Sequence, residues 1–166
     1  MVLTGLIVQA QSNKDKEIME ESIEAKAEFI EGDKGMSKKF SSAYGYAIFP
    51  NVGKGAIGIG GAAGNGTAYE KGKLVGMAKL SQLSIGFQWG GQAYREVVFF
   101  EDKEAMDRFK ENKTEFSAQV SAVALTAGAS ADAAYVDGVM VFTMQKGGLM
   151  YEAAVGGQKF KFDPLD

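Results

Sequence analysis

Residues 44–69 read YGYAIFPNVGKGAIGIGGAAGNGTAY, a segment that is rich in glycine and almost uncharged. Small and larger residues alternate from Ala56 to Ala63, so an extended strand would carry Gly58 and Gly60 on one face and two isoleucines on the other. Glycine weakens a strand and usually marks the close approach of another backbone, a bulky side chain or a ligand. The segment therefore predicts a glycine-rich strand whose small-residue face is closely approached.

Turn signals flank this strand on both sides. Pro50 cannot donate to a strand ladder, so we expect pairing to break there and residues 51–53 to form a turn. Asn65-Gly66 is the dipeptide typical of a type I′ hairpin turn, and Asp137-Gly138 repeats the signal later in the chain. Such closely spaced turns favour antiparallel pairing between neighbouring strands.

Apolar periodicity identifies the other elements. Tyr94 to Phe100 predicts a strand that is central or covered on both faces, because residues 97–100 are apolar on both faces, whereas residues 101–112 follow helical spacing. Residues 115–127 alternate like a strand, although their alanine content leaves a helix as the alternative. Lys14 to Glu31 predicts an amphipathic helix that has glutamates on one face and a core stripe on the other, formed by Met19, Ile23, Ala27 and Ile30.

These elements predict an α+β fold. Its main part is a mainly antiparallel, glycine-rich β-sheet, arranged as a sandwich or a partly closed barrel, with an N-terminal amphipathic helix and one internal helix. The length of 166 residues suits a single domain, which we assign to residues 13–166. Residues 1–12 indicate the remnant of a secretory signal, because an apolar run ends in the small-x-small pattern Val8-Gln9-Ala10; the alternative is a merely apolar N-terminus. The signal predicts a secreted or periplasmic, envelope-associated protein.

Composition excludes most catalytic chemistry. The chain has no histidine and no cysteine, which removes Ser-His-Asp triads, thiolate nucleophiles and zinc sites of the His/Cys type. The GxGxxG pattern that begins at Gly53 is followed by further glycines, so no helix can open there to bind a dinucleotide. The net charge of −3 gives no bulk attraction to nucleic acid. We therefore predict a protein that is not an enzyme and has no cofactor, metal or nucleic-acid partner.

Two glycine-containing blocks resemble a known family. Ala47-Ile48-Phe49-Pro50 with the glycines after it, and Gly86-Phe87-Gln88-Trp89-Gly90 further on, are similar to the SYLF domain, and the resemblance extends from about Glu17 to the C-terminus. It implies structural roles for the motif residues Phe49, Pro50, Gly58, Gly60, Gly86, Gln88 and Gly90. It also implies binding of phosphoinositide- or phosphatidic-acid-type lipids and, in fungal and animal members, of actin. A free-standing domain with a signal-like start resembles the bacterial branch.

An acidic chain must hold an anionic headgroup with local lysines. Lys54 opens the glycine strand, and Lys38 and Lys39 precede it closely in sequence, so these three are the predicted lipid-binding residues. Lys159 and Lys161, near the end of the chain, are expected to matter less. The predicted function is a non-enzymatic module of the bacterial cell envelope that binds anionic phospholipid. The alternative is a structural or protein-interaction domain, actin-binding-like as in eukaryotic relatives, with no lipid ligand.

Overall fold

The protein is described by a computed structural model that covers residues 2–54, 61–82, 93–117, 119–145 and 155–165, with side chains from residue 12 onward except at Lys54. The strands are β1 (Gly45–Lys54), β2 (Ala62–Glu70), β3 (Lys73–Gln82), β4 (Tyr94–Phe100), β5 (Ala122–Ala124), β6 (Val139–Gln145) and β7 (Lys159–Pro164). The helices are α1 (Val2–Gly32), α2 (Met36–Ser42) and α3 (Lys103–Lys110), with a short 3-10 helix at Ala129–Asp132.

All seven strands belong to one sheet, in the spatial order β5-β6-β4-β1-β2-β3-β7. Neighbouring strands pair antiparallel, except that β5 and β6 are parallel. Helix α3 lies within the predicted segment 101–112, whereas α1 includes the predicted Lys14–Glu31 but begins already at Val2. The predicted α+β class with a mainly antiparallel sheet is thus confirmed.

The sheet does not close, but it is strongly curled. The rings of Phe49 on β1 and Phe160 on β7 have centroids 5.6 Å apart, although β2 and β3 lie between their strands. After α3 the chain crosses the open side, where Glu115 forms a bridge with Lys159 before β5 joins β6. The arrangement is therefore nearer to a partly closed barrel than to a sandwich of two sheets.

Each face of the sheet has its own apolar core. On the concave face, Phe109 of α3 packs among Phe100, Phe160 and Phe162, whose ring centroids lie 4.8, 6.2 and 5.7 Å from its own. On the convex face, α1 and α2 cover the sheet with Phe29 and other buried side chains. All seven residues of β4 are buried between these two cores, which confirms the prediction of a doubly covered central strand.

The inward face of α1 differs from the predicted one. The buried side chains are Ile18, Ser22, Ala25 and Phe29. Their spacing of four, three and four residues is also helical, so the stripe is rotated rather than lost. Ile23, a predicted core residue, is 66% exposed. The periodicity is right and the choice of face is wrong.

Pro50 does not end the first strand. β1 continues through it to Lys54, and the register to both neighbouring strands shifts at this point. A β-bulge is where a proline fits inside a sheet, because an irregular position there needs no ladder hydrogen bond from the missing N–H. The predicted turn at residues 51–53 is therefore wrong.

The two type I′ signals have opposite outcomes. Asp137 and Gly138 have φ values of 51° and 81° and form a turn just before β6, as predicted. Asn65 and Gly66 instead lie inside β2, where Asn65 is aligned with Asn51 on one side and Lys79 on the other. Gly66 is needed for packing, because a Cβ there would overlap the carbonyl oxygen of Ile48 in the bulged β1.

Residues 115–127 were expected to form one strand, with a helix as the alternative. Apart from the short β5 and a single bridge at Glu115, the described residues of this segment are irregular. Phe116 and Val120 are nevertheless buried in the concave core. The apolar pattern therefore reflects packing against the sheet and not strand pairing, so both predictions are wrong over most of the segment.

Helix α3 begins with a side-chain cap that offers a local test. The Asp102 carboxylate accepts a hydrogen bond of 2.9 Å from the backbone N–H of Ala105. Replacing Asp102 with alanine is expected to lower the free energy of unfolding by about 0.5–2 kcal/mol, because one N–H of the first turn loses its acceptor. Urea unfolding measures the change. Asp102→Asn keeps an acceptor and should remain within a few tenths of a kcal/mol of the wild type; equal losses in both variants would contradict the capping role.

Candidate functional site

Lysines gather on the outer surface of β3 and β7. Lys79 and Lys161 are directly opposite each other in the antiparallel register of these strands. Leu80, Phe160 and Phe162 alternate with the lysines along the strands and are buried in the concave core. Both lysines are consequently exposed on the other face of the sheet. Like charges directly opposite each other on a sheet are destabilising, so stability alone does not explain this pair.

Two further lysines complete what we term the lysine cluster, formed by Lys14, Lys79, Lys159 and Lys161. Lys14 comes from α1, and Lys159 from the first position of β7. A surface groove of about 740 Å³ is lined by all four side chains, and a smaller groove of about 360 Å³ beside it shares three of them. The cluster thus surrounds a concave surface and does not only mark strand ends.

The larger groove is electropositive. No aspartate or glutamate is among the described residues that line it, whereas its polar lining includes the amides of Asn51, Asn65 and Asn112. Within the described parts of the chain, Lys14, Lys79 and Lys161 form no ion pair, and Lys159 has only a 4.0 Å contact with the exposed Glu115. The smaller groove is more mixed, since Asp15 and Asp163 also line it. Four ammonium groups with few counterions suit an anionic ligand.

The structure separates the three lysines that the sequence singled out. Lys38 is exposed and Lys39 half-buried on α2, which leads into the start of β1, whereas Lys54 is the last residue of β1. A ten-residue strand is about 30 Å long, so the α2 pair and Lys54 lie at opposite ends of the sheet and cannot contact one headgroup. Lipid binding by these lysines stays a prediction from the sequence.

The residues of the family motif fall into two groups. Phe49 and Pro50 are buried in β1, where Phe49 packs in the concave core and Pro50 lies at the bulge. Gly58, Gly60, Gly86, Gln88 and Gly90 lie outside the described residues.

The described side chains offer little else as a reactive site. No group of three or more acidic residues among them is placed to hold a metal ion. No described helix combines the length and the apolarity needed to cross a bilayer.

Comparison with known proteins identifies the family. Residues 81–164, from the end of β3 through β7, match the Ysc84 family, which is described as Las17-binding protein actin regulator. The chain belongs to the Ysc84, or SYLF, family. The matched region contains Lys159 and Lys161, and it also contains the Gly86–Gln92 block on which the resemblance rested. The family is one of binding and regulatory domains, which fits a charged groove better than a catalytic centre.

A bacterial relative supports the same assignment. Beta cell expansion factor A of Aeromonas veronii is 31% identical to this SYLF chain over 126 residues. The match covers 75% of the chain but 48% of the relative, so the chain spans about half the length of that protein.

Proposed function

We propose that this SYLF chain is a non-enzymatic module of the bacterial cell envelope that docks on anionic phospholipid. The supporting observation is the larger groove, with four lysines and no carboxylate among its described lining residues. A lipid phosphate has the charge to occupy it, and the amides of Asn65 and Asn112 add polar groups around the lysines. The family's description as a regulator of actin suggests a binding role but does not supply a ligand for this member.

The position of the groove suits a flat partner. Lys79, Lys159 and Lys161 are exposed on a single outer surface formed by two adjacent strands, so they can approach a bilayer together. Each basic residue near an anionic membrane surface contributes about 1 kcal/mol to binding. Three to four such contacts give a weak but measurable association, which salt should reverse because screening shortens the reach of exposed charges.

Replacing Lys79 and Lys161 with glutamine is expected to weaken binding to phosphatidylglycerol vesicles roughly thirtyfold, the equivalent of about 2 kcal/mol. Vesicle flotation over a range of lipid concentrations measures the effect. The thermal midpoint should stay constant or rise slightly, since the substitution also removes a like-charge pair from the sheet.

The matched control is the Lys38→Gln, Lys39→Gln double variant. It makes the same change of net charge on α2, at the site favoured by the sequence. A small loss in the control and a large loss in the strand pair would support the groove, whereas the reverse result would place the site at α2. If wild-type protein binds anionic and neutral vesicles equally weakly, the lipid proposal is wrong. An anionic protein partner then becomes the occupant to seek.

A further inference from the structure

A polar cluster is enclosed in the otherwise apolar concave core. The side-chain amide nitrogen of Gln158 lies 3.0 Å from a carboxyl oxygen of Glu96, 3.1 Å from the hydroxyl of Tyr94 and 3.2 Å from the amide oxygen of Gln82. All four residues are buried, and Glu96 and Gln158 have no exposed surface. Four polar side chains in such a place need a physical explanation, because desolvating them is costly.

These contacts reach across the curled sheet. Tyr94 and Glu96 are on β4, whereas Gln158 directly precedes β7 at the far edge, and β1, β2 and β3 separate the two strands in the sheet order. The backbone of Gln158 also joins the segment that crosses the open side, because its carbonyl accepts a hydrogen bond of 3.0 Å from Phe116. Gln158 thus ties the edge of the sheet to its centre.

Glu96 is the ionisable group whose charged form this arrangement disfavours. Burial raises the pKa of Glu96 from its ordinary value of 4.5 to about 8, although the hydrogen bonds from Gln158 and Tyr94 act in the opposite direction. Its second carboxyl oxygen has no hydrogen-bond partner among the described residues. An ionised carboxylate there would be poorly solvated, so the neutral acid is the form that fits this core.

The neighbours of Glu96 provide no compensating charge within the described chain. In the sheet it faces Phe49 on β1 and Thr143 on β6, and Gln158 approaches it from the edge. Tyr94 is the titratable group in contact with it, and burial raises the pKa of that phenol as well. The adjacent Arg95 belongs to the opposite face of β4, where it pairs with Glu28 of α1 at 3.2 Å.

We propose that Glu96 and Gln158 form a proton-dependent latch that fastens the edge strand β7 to the centre of the concave face. With Glu96 protonated, the amide of Gln158 and a neutral carboxyl group share a core that is otherwise apolar. Loss of the proton leaves a charge that the core cannot solvate, so water must enter or the turn before β7 must move away. The latch therefore holds at neutral pH and loosens in alkaline solution.

The direction of the stability change follows from the two pKa values. In the unfolded chain Glu96 titrates near 4.5, and in the folded chain near 8. The folded state retains its proton over that interval while the unfolded state loses it, so stability falls as pH rises between these values. Glu96→Gln keeps the shape and a neutral group, and it should remove this part of the pH dependence.

The latch also bears on the lysine cluster, and this step rests on the proposed function. Lys159 and Lys161 are carried by β7, directly after Gln158. Loosening β7 would therefore separate them from Lys79 and weaken vesicle binding at alkaline pH. Phosphatidylglycerol vesicles are the suitable probe, because the phosphodiester keeps a single negative charge throughout the range.

Infrared spectroscopy of the wild-type protein provides the first test and needs no variant. We expect a protonated-carboxyl band at about pH 7 that disappears when pH rises to about 9. Urea unfolding of the wild type and of Glu96→Gln from about pH 5 to about pH 9 is the second test, with a fall in stability up to about pH 8 expected for the wild type alone. Gln158→Ala should speed amide exchange in residues 158–164 at every pH.

The outcomes separate the latch from the proposed function. Absence of the protonated band at neutral pH, or parallel pH profiles for the wild type and Glu96→Gln, would overturn the latch. In the vesicle experiment, the coupling to the lysine cluster is supported if alkaline pH weakens binding by the wild type and not by Glu96→Gln. The same pH dependence of binding in both proteins refutes the coupling. Failure to bind vesicles even at neutral pH refutes the proposed function and leaves the infrared and unfolding tests of the latch intact.

Discussion

Replacing Phe109 with alanine is expected to lower the free energy of unfolding by about 3–5 kcal/mol. Phe109 is the point at which α3 enters the concave core, and it has no exposed surface. It contacts rings from β4 and from both phenylalanines of β7. The cavity would open where the edge strand β7 approaches the central strand β4 across the curled sheet, so the surrounding side chains have little freedom to fill it. Urea unfolding measures the loss.

Ile23→Ala is the matched control. It also truncates an apolar side chain in a helix, but Ile23 is 66% exposed. The expected change is within about 0.5 kcal/mol of zero, since little apolar surface is lost and alanine favours the helix. If Ile23→Ala lowered the free energy of unfolding by several kcal/mol, the α1 face that the sequence predicted would be the buried one. If Phe109→Ala lowered it by less than about 1 kcal/mol, the central position of Phe109 in the core would be contradicted.

Local signals in the sequence were sufficient where a single element determines its own form. Tyr94 to Phe100 forms a strand with the predicted limits. Residues 101–112 follow helical spacing and contain α3, and Asp137-Gly138 has the two positive φ values that its turn requires. In each case the interactions that determine the local structure are made within about ten residues of sequence.

Local signals failed where a distant neighbour decides the outcome. Pro50 and Asn65-Gly66 have the composition of turns, yet both lie inside strands because β1 and β2 pair around a bulge. A continuous ladder of hydrogen bonds on both sides of β1 stabilises the extended conformation of these residues. This tertiary stabilisation outweighs the local preference of the turn dipeptide. In α1, too, a distant neighbour decides. The predicted and the observed stripes both have helical spacing, and only the packing against the sheet determines which of them is buried.

The lysine cluster shows the same limit for the candidate site. The alternation in Lys159-Phe160-Lys161-Phe162 predicts that the two lysines share a face, and this is visible in the sequence. Their pairing with Lys79, some eighty residues earlier, depends on β7 adding to the edge of β3. Neither strand carries a sequence signal that identifies the strand with which it pairs. The sequence alone therefore places Lys159 and Lys161 only near the end of the chain, and it favours Lys38, Lys39 and Lys54 as the lipid-binding residues.

The small-residue face predicted at Gly58 and Gly60 lies outside the described residues and stays a prediction. Close approach does occur at Gly66 in β2, where a Cβ would overlap the Ile48 carbonyl oxygen and lie 2.8 Å from a ring carbon of Phe49. Gly76 on β3 has the same relation to Phe162, with a ring carbon 2.6 Å from the position of a Cβ. The missing side chains thus make room for the phenylalanines of β1 and β7, which is how the sheet curls so tightly.

Gly66→Ala is therefore expected to destabilise the protein strongly although it adds a single methyl group. Overpacking typically costs about 1–3 kcal/mol, and we expect a value at or above the upper end because the obstructing atom belongs to the backbone of a central strand. Gly53→Ala is the matched control, since Gly53 is also a glycine of a central strand and, among the described residues, the atom nearest to the position of its Cβ is the methyl carbon of Ala93 at 3.9 Å.

The two glycine variants should differ in sign. Gly53→Ala fits without strain and restricts the unfolded chain, so its stability should be unchanged or higher by about 0.4–1 kcal/mol. Thermal and urea unfolding of both variants measure the difference. Because Gly66 faces the bulge at Pro50, a loss of stability in Gly66→Ala alone would indicate that the curl of the sheet depends on that bulge. Equal stability of the two variants would instead show that β1 and β2 are farther apart than this packing requires.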